Sequence, residues 1–213
     1  MSLCENNGLP SFDSILFDFD GVLADSEGVH FQCWTTILEP LGIPLSWEAY
    51  CANCIGITDR AMLEVLARQK NPPHDVEDLW QYYPKKKALF REKAYANPPI
   101  PESTRTLIRS LSQYSLAVVS SSGRAEVEPV LERAGIRDCF QTIVTGDDVK
   151  NRKPHPEPYL LAAERLNVRR PLVVEDSEPG AAAGIAAGFE VLKIHDPYAL
   201  ASALLSRLGH EIG

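Results

Sequence analysis

The chain contains no long block of lysines and arginines. Its 21 basic residues are outnumbered by 29 acidic ones, for a net charge of −8 over 213 residues. Without a basic stripe to track a phosphate backbone, nucleic acid is not expected as a partner. No apolar run approaches the ~20 residues that cross a bilayer, so no membrane role is expected. The first ten residues, Met1-Ser-Leu-Cys-Glu-Asn-Asn-Gly-Leu-Pro10, lack the charged-then-apolar pattern of a secretory signal and read as a flexible lead-in. Cysteines are few and odd in number: Cys4, Cys33, Cys51, Cys54 and Cys139. Scattered thiols without an export signal point to reduced cysteines and a cytoplasmic location. Cys51-Ala-Asn-Cys54 has the spacing of a zinc or redox pair, but no second ligand pair exists for zinc. It also falls in a helical stretch rather than after a strand, so packing cysteines are the better reading.

What is present is ordinary for a globular protein, with 45% hydrophobic and 23% charged residues. The length allows a sizeable core plus a small accessory module. The informative stretch is Ser14-Ile-Leu-Phe-Asp-Phe-Asp-Gly-Val-Leu-Ala-Asp-Ser26. An apolar, β-prone run stops at two aspartates spaced i, i+2, which would face the same side of a strand. Two carboxylates that close repel each other unless a cation neutralises them or one holds a proton. Gly21 lets the backbone turn away directly after them. A surface turn would explain Asp20-Gly21, but not an aspartate embedded in Ile-Leu-Phe-Asp-Phe.

A single strand is expected over 14–20, followed by helical patterning from 25 to 98. There Phe31, Trp34, Leu38 and Leu41 recur at three- and four-residue steps, as do Met62, Leu63 and Leu66, and later Leu79, Tyr82 and Tyr83. Asn97-Pro-Pro-Ile-Pro101 closes this block as a stiff linker. Beyond it strands and helices alternate: helix 103–113, strand 116–120, helix 125–134, strand 141–145, helix 156–166, strand 172–175, helix 179–187, strand 190–194 and helix 198–208. Alternation with near-continuous apolar strands implies a doubly wound, Rossmann-like parallel sheet of the α/β class. The first strand belongs to that sheet, so the helical block is an insertion. The expected domains are a core of residues 1–24 and 99–213 and a helical domain of residues 25–98. Pro129 is tolerable in helix 125–134 only near its first turn.

In such sheets ligands bind at the carboxyl ends of the strands. The first strand delivers Asp18 and Asp20, the second Ser120 followed by Ser121 and Ser122, and strand 172–175 delivers Glu175 and Asp176. Lys153-Pro154 precedes helix 156–166. Four carboxylates in one crevice call for Mg²⁺, a hard cation with oxygen ligands. Together with a hydroxyl and a lysine they make a phosphoryl-transfer set. Asp18 would attack phosphorus to form an aspartyl phosphate. Asp20 would protonate the leaving alcohol and then deprotonate the hydrolytic water. Lys153, Ser120 and nearby backbone N–H groups would offset charge on the phosphoryl oxygens.

At these residues the chain resembles the haloacid dehalogenase superfamily, in its branch of small-molecule phosphatases and β-phosphoglucomutases. The likeness spans residues 12–208 and rests on four motifs in the family's order: Asp18-Phe-Asp-Gly-Val, Val119-Ser120, Lys153-Pro154, and Val174-Glu175-Asp176-Ser177 with Pro179-Gly180 and Ala186-Ala187-Gly188. The resemblance implies a Mg²⁺ site formed by the Asp18 carboxylate, the Asp20 carbonyl and Asp176, with Glu175 bound directly or through water. It also implies that residues 25–98 are a cap closing over the site. The acid at Asp20 disfavours the dehalogenase and phosphonate-cleaving branches. Gly123 departs from the lysine or proline more usual after Ser122, so no substrate contact is carried over there.

Since the core grips only the phosphoryl group, specificity is expected from the cap. His30 either packs beside Trp34 or lies near substrate. Cys54-Ile-Gly-Ile-Thr-Asp-Arg60 resembles the family's specificity loop, with Gly56 as its turn and Arg60 either an anion contact or solvated. Lys85-Lys86-Lys87 is an exposed helical face, or one lysine turns inward; Arg124 either reaches the phosphate or is exposed. The leading reading is a Mg²⁺-dependent phosphatase of a small sugar or polyol phosphate, a monomer or weak dimer. A β-phosphoglucomutase and a non-catalytic phosphometabolite binder are the rivals.

Overall fold

Short β-branched and aliphatic runs pair as parallel strands in the computed structural model, which describes residues 12–55, 57–69 and 72–209. In chain order, β1 (Ser14–Phe17) is followed by α1 (Glu27–Leu38), α2 (Trp47–Asn53), α3 (Asp59–Arg68), α4 (Val76–Trp80) and α5 (Tyr83–Ala96). Then come α6 (Glu102–Ser110), β2 (Ser115–Val119), α7 (Arg124–Arg133), β3 (Thr142–Val144) and α8 (Glu157–Leu166). The chain closes with β4 (Pro171–Glu175), α9 (Glu178–Ala186), β5 (Glu190–Lys193) and α10 (Leu200–Arg207). Two units result, one formed by residues through Asp25 and from Ile100 onward, the other by Ser26–Pro99.

In the first unit the sheet runs β3-β2-β1-β4-β5, every pair parallel. Leu16 lies opposite Ala117 on one side and Val173 on the other. Those three, with Val119 and Val144, form one face and pack with Tyr159 and Ala162 of α8 and Ala183 of α9. The alternate residues Ile15, Phe17, Leu116, Val118, Leu172 and Val174 are equally buried. Both faces of the sheet are therefore covered, as unbroken apolar strands require. The chain adds β2 and β3 on one side of β1, then crosses to add β4 and β5 on the other. The order thus reverses between β1 and β4, and a ligand crevice forms outside their carboxyl ends.

Two expectations need correction. The strand at 14–20 ends at Phe17, so Asp18 and Asp20 lie in the turn beyond it. Pro129 sits in the second turn of α7, not the first, and the helix continues past it to Arg133. One lost intrahelical bond is tolerated there because Val127, Val130 and Leu131 are buried.

Among its described residues, the regular elements of the second unit are all helices. Trp34, Ile37, Leu38, Leu63, Leu66 and Leu79 form its core. Ser46, Thr58 and Asp75 cap the starts of α2, α3 and α4 by accepting backbone N–H bonds. No helix among the described residues is long and apolar enough to cross a membrane.

Candidate active site

The turn after β1 carries the first two acids. Asp18 extends the ladder by one bond, its N–H donating to the Val174 carbonyl at 3.0 Å, which fixes it over the β1–β4 seam. The chain then doubles back, with Leu23 and Ala24 N–H both donating to the Phe19 carbonyl. Gly21 holds φ at +77°, and a Cβ there would collide with the Asp176 carboxylate. Glycine is required on both counts, conformation and space. Asp20 is aimed by this turn and not by strand alternation, and its Oδ2 accepts a bond from the Ser122 hydroxyl at 2.9 Å.

Lys153 joins the two sides of the seam. Its buried ammonium donates to Asp18 Oδ1 at 2.6 Å, Glu175 Oε1 at 2.6 Å and the Val119 carbonyl at 2.8 Å. Those three bonds use all three of its protons. Its side chain therefore orients Asp18 and contributes charge, with no proton to spare for a ligand in this arrangement. Burial opposes the ammonium, but Asp18, Tyr159 and Glu175 outweigh it and raise its pKa well above the ordinary lysine value.

Glu175 is fully enclosed at the end of β4. Its Oε1 also accepts from the Tyr159 hydroxyl at 2.7 Å, and its Oε2 from the N–H of Asp176 and Ser177 and the Ser177 hydroxyl. Burial alone would raise its pKa; Lys153, Tyr159 and the Ser177 N–H reverse that and bring it below the usual glutamate range. Ser177 also caps α9, accepting from the Gly180 N–H at 3.1 Å. A Cβ on Gly180 would overlap the Glu175 carboxylate, so the helix start can approach this closely only with glycine there.

Asp18, Glu175 and Asp176 each offer an oxygen, and these atoms all lie within 4.8 Å of one another. Burial and mutual repulsion show in the acidities of Asp18 and Asp176. Burial first, then the charge of Glu175, lifts Asp176 from 3.8 to about 6. Burial likewise pushes Asp18 upward, aided by Glu175, Asp20 and Asp176 against the pull of Lys153. An all-carboxylate set with one ammonium is short of positive charge, and hard divalent cations fit such oxygen donors.

The loop after β2 supplies the opposite wall. Ser120 N–H donates to the Val144 carbonyl, and the Ser120 hydroxyl oxygen accepts from Ser122 N–H at 3.0 Å. Further along, Gly123 N–H is taken by Glu126 and Arg124 N–H by Asp147. Among the described residues 120–124, the Ser121 N–H is the backbone donor left without a protein acceptor. The Arg124 guanidinium is held by Glu128, Asp148 and the Ile143 carbonyl.

The remaining expected positions lie in the helical unit. His30 stacks on Phe90 with ring centroids 4.3 Å apart. Arg60 is ion-paired with Glu77 and lies over the Trp80 ring. Gly56 falls outside the described residues. Of the three consecutive lysines, Lys86 is the one turned inward, while Lys85 is exposed. Cys54 is buried and Cys51 exposed, both as free thiols, so only Cys54 packs in the core. Sequence reasoning missed Tyr159, whose ring lies 4.9 Å from the Lys153 ammonium and whose hydroxyl braces Glu175. Its position six residues after Lys153 was a usable signal, since a tyrosine entering a core helix needs a partner for its hydroxyl.

Comparison with known proteins bears on family and fold. A family model described as haloacid dehalogenase-like hydrolase matches residues 15–194. A phosphorylated-carbohydrates phosphatase of Thermotoga maritima is 33% identical over 181 residues, 84% of this chain and 82% of that protein. A fructose-1-phosphate phosphatase of Escherichia coli is 29% identical over 195 residues, 86% of this chain and 96% of that one. Among solved structures, CbbY of Rhodobacter sphaeroides in complex with phosphate is similar with a TM-score of 0.65 at 26% identity, covering 85% of each chain. A β-phosphoglucomutase of Clostridium difficile shares the fold, with a TM-score of 0.69 at 21% identity over 93% of this chain and 98% of that one. The chain belongs to the haloacid dehalogenase-like hydrolases.

Proposed function

We propose that the protein is a Mg²⁺-dependent phosphatase of small phosphorylated metabolites, sugar or polyol phosphates, working through an aspartyl phosphate. The observation that carries this reading is the Asp18 carboxylate held by Lys153 beside Glu175 and Asp176, with a second acid, Asp20, separately oriented by Ser122. The two phosphatase relatives support the substrate class.

Asp18 attacks the phosphorus, forming an acyl phosphate as the ester P–O bond breaks. Asp20 gives its proton to the departing alcohol oxygen. The resulting Asp20 carboxylate then takes a proton from water, whose oxygen attacks the phosphoryl group and frees inorganic phosphate and the Asp18 carboxylate. Ser120, Ser121 and Ser122 line the phosphoryl cradle, the Ser120 hydroxyl and Ser121 N–H donating to its oxygens. A divalent cation would be held by Asp18 and Asp176 with the Asp20 carbonyl, and would supply charge that relieves the carboxylate repulsion and polarises the phosphoryl group. Glu175 would reach it through water at most, because its oxygens already accept from Lys153, Tyr159, Asp176 and Ser177. Residues 1–24 and 99–213 form the catalytic core, and residues 25–98 a cap whose His30, Gly56 and Arg60 contribute to choosing the leaving group.

A phosphate-release screen on a panel of sugar and polyol phosphates tests this. Release that EDTA abolishes and added Mg²⁺ restores is the expected result. Release indifferent to EDTA refutes the metal role, and no release from any ester refutes the phosphatase reading. One rival is return of the phosphoryl group to a hexose hydroxyl, since a β-phosphoglucomutase shares this fold. Interconversion of glucose 1- and 6-phosphates with little phosphate release would establish it.

A further inference from the structure

At the end of the sheet away from the acids, where β1, β4 and β5 begin, the first unit has a hollow of about 190 Å³. It is lined by Phe12, Arg169, Arg170, Pro171, Phe189 and Glu190, with Gly188 at the turn into β5. The proposed chemistry uses none of them. Pro171 opens β4 and Glu175 closes it, so the hollow lies about 13 Å along that strand from the carboxylate cluster.

The charges around it suit an anion. Glu190 is the lining's carboxylate, and Arg207 of α10 neutralises it, Nε donating to Oε1 at 2.6 Å. The neighbouring Asp13 is occupied as well. Its Oδ2 accepts the backbone N–H of Arg169 and Arg170 at 2.9 and 3.0 Å, and its Oδ1 the Ser14 hydroxyl at 3.0 Å. Burial opposes the Asp13 charge, but these bonds outweigh it and lower its pKa. Because backbone groups hold Asp13, it leaves the Arg169 guanidinium unused. That side chain is exposed and has no ion pair or hydrogen bond among the described residues. A chain of net charge −8 thus gathers arginines 169, 170 and 207 around one hollow.

The apolar part comes from two rings, Phe12 and Phe189, each only partly buried. Arg207 covers the Phe12 ring, its guanidinium 4.8 Å from the centroid. Beyond its chain neighbours, nothing lies within 4 Å of where a Cβ on Gly188 would stand, so that side of the hollow is open. A cavity of about 150 Å³ holds benzene. The space here therefore admits one ring with a small anionic group attached.

We infer that this hollow is a binding site for a small planar carboxylate, a single ring bearing one anionic group. The ring lies against Phe12 and Phe189, where offset or edge contacts between aromatic groups are favourable. The carboxylate takes the Arg169 guanidinium, whose fork of N–H donors matches two oxygens at once. Charge alone is not enough, since an exposed ion pair contributes little. A ring alone leaves the guanidinium without a partner.

The test titrates benzoate into the full chain at low salt and follows backbone and arginine N–H resonances by NMR. Gly188, Phe189, Glu190 and the Arg169 side chain shift saturably, with a Kd on the order of 1 mM for a ligand this small. Acetate, which lacks the ring, and benzyl alcohol, which lacks the charge, bind about tenfold more weakly or worse. Arg169→Gln, a change at an exposed position, melts with the parent and weakens benzoate about tenfold or more; Arg169→Lys falls between, as a point charge without the fork. No saturable shift up to about 20 mM benzoate overturns the inference, as do shifts confined to the Asp18 end of the sheet. Equal binding of acetate or benzyl alcohol overturns the ligand class, and an unchanged Kd in Arg169→Gln overturns the anion contact. None of these readouts uses turnover, so they decide the site whatever becomes of the phosphatase reading.

Discussion

Replacing Tyr159 by phenylalanine isolates one bond of the buried chain that runs from α8 to the proposed nucleophile. The hydroxyl donates to Glu175 Oε1 at 2.7 Å, and the ring beneath Lys153 is retained in the variant. A hydrogen bond to a charged acceptor contributes ~1.5–3 kcal/mol. Glu175 Oε1 still accepts from Lys153 after the change, so the low end applies, about 1.5 kcal/mol. For a chain of this length a loss of that size lowers the melting temperature by about 3–6 °C. Because Lys153 and Tyr159 both donate to that oxygen, the ammonium that orients Asp18 becomes less constrained when the hydroxyl is removed. A fall of about tenfold in kcat with KM nearly unchanged follows, since Tyr159 is buried and reaches substrate only through Lys153. Tyr159→Leu removes the ring as well and costs about 3 kcal/mol or more. Thermal melts and steady-state phosphate release measure both effects. A Tyr159→Phe protein that melts with the parent and turns over at the parental rate would show that the Tyr159–Glu175–Lys153 chain positions nothing.

Two further outcomes follow from contacts at and beside the site. Gly180→Ala forces a Cβ into the Glu175 carboxylate and, by overpacking, destabilises the chain by about 1–3 kcal/mol, read as a lower midpoint in urea; an unchanged midpoint would mean α9 can retreat from β4 at no cost. Asp148 gives an acid-stability signature: burial disfavours its charge, but the Thr145 hydroxyl and N–H, Arg165 and Arg124 outweigh this and lower its pKa from 3.8 to about 2. A depressed carboxylate stabilises the fold above its unfolded value and loses that contribution as pH falls through the folded one. The loss therefore runs from about pH 4 down to about pH 2, worth about 1–2 kcal/mol after screening, and Asp148→Asn should flatten the stability profile only in that window.

The sequence made the chemistry legible where it was written in short contiguous motifs. Asp18, Asp20, Ser120, Lys153, Glu175 and Asp176 all lie in loops or strand ends of one α/β unit, and strand–helix alternation located each boundary within a few residues. The reason given for Asp20 was the wrong one. Strand period placed it beside Asp18, yet the strand ends at Phe17 and the turn at Gly21 does the aiming. The free donors of the loop after β2 are also illegible in the sequence, because Glu126 and Asp147 consume N–H groups that the pattern alone leaves open. Pairings between distant residues were hidden for the same reason. Nothing local ties Asp59 to Lys86, 27 residues apart, and the three consecutive lysines leave open whether one turns inward and which; packing buries the middle one.

The central claim is that Asp18 is the attacking carboxylate. Asp18→Asn is nearly isosteric, keeps an acceptor for Lys153 and removes the nucleophile. Phosphate release by this variant, measured beside the parent on the best ester of the panel and with matching melting curves, is the most direct test. The account predicts a folded protein with no detectable turnover; a folded variant that still releases phosphate contradicts it.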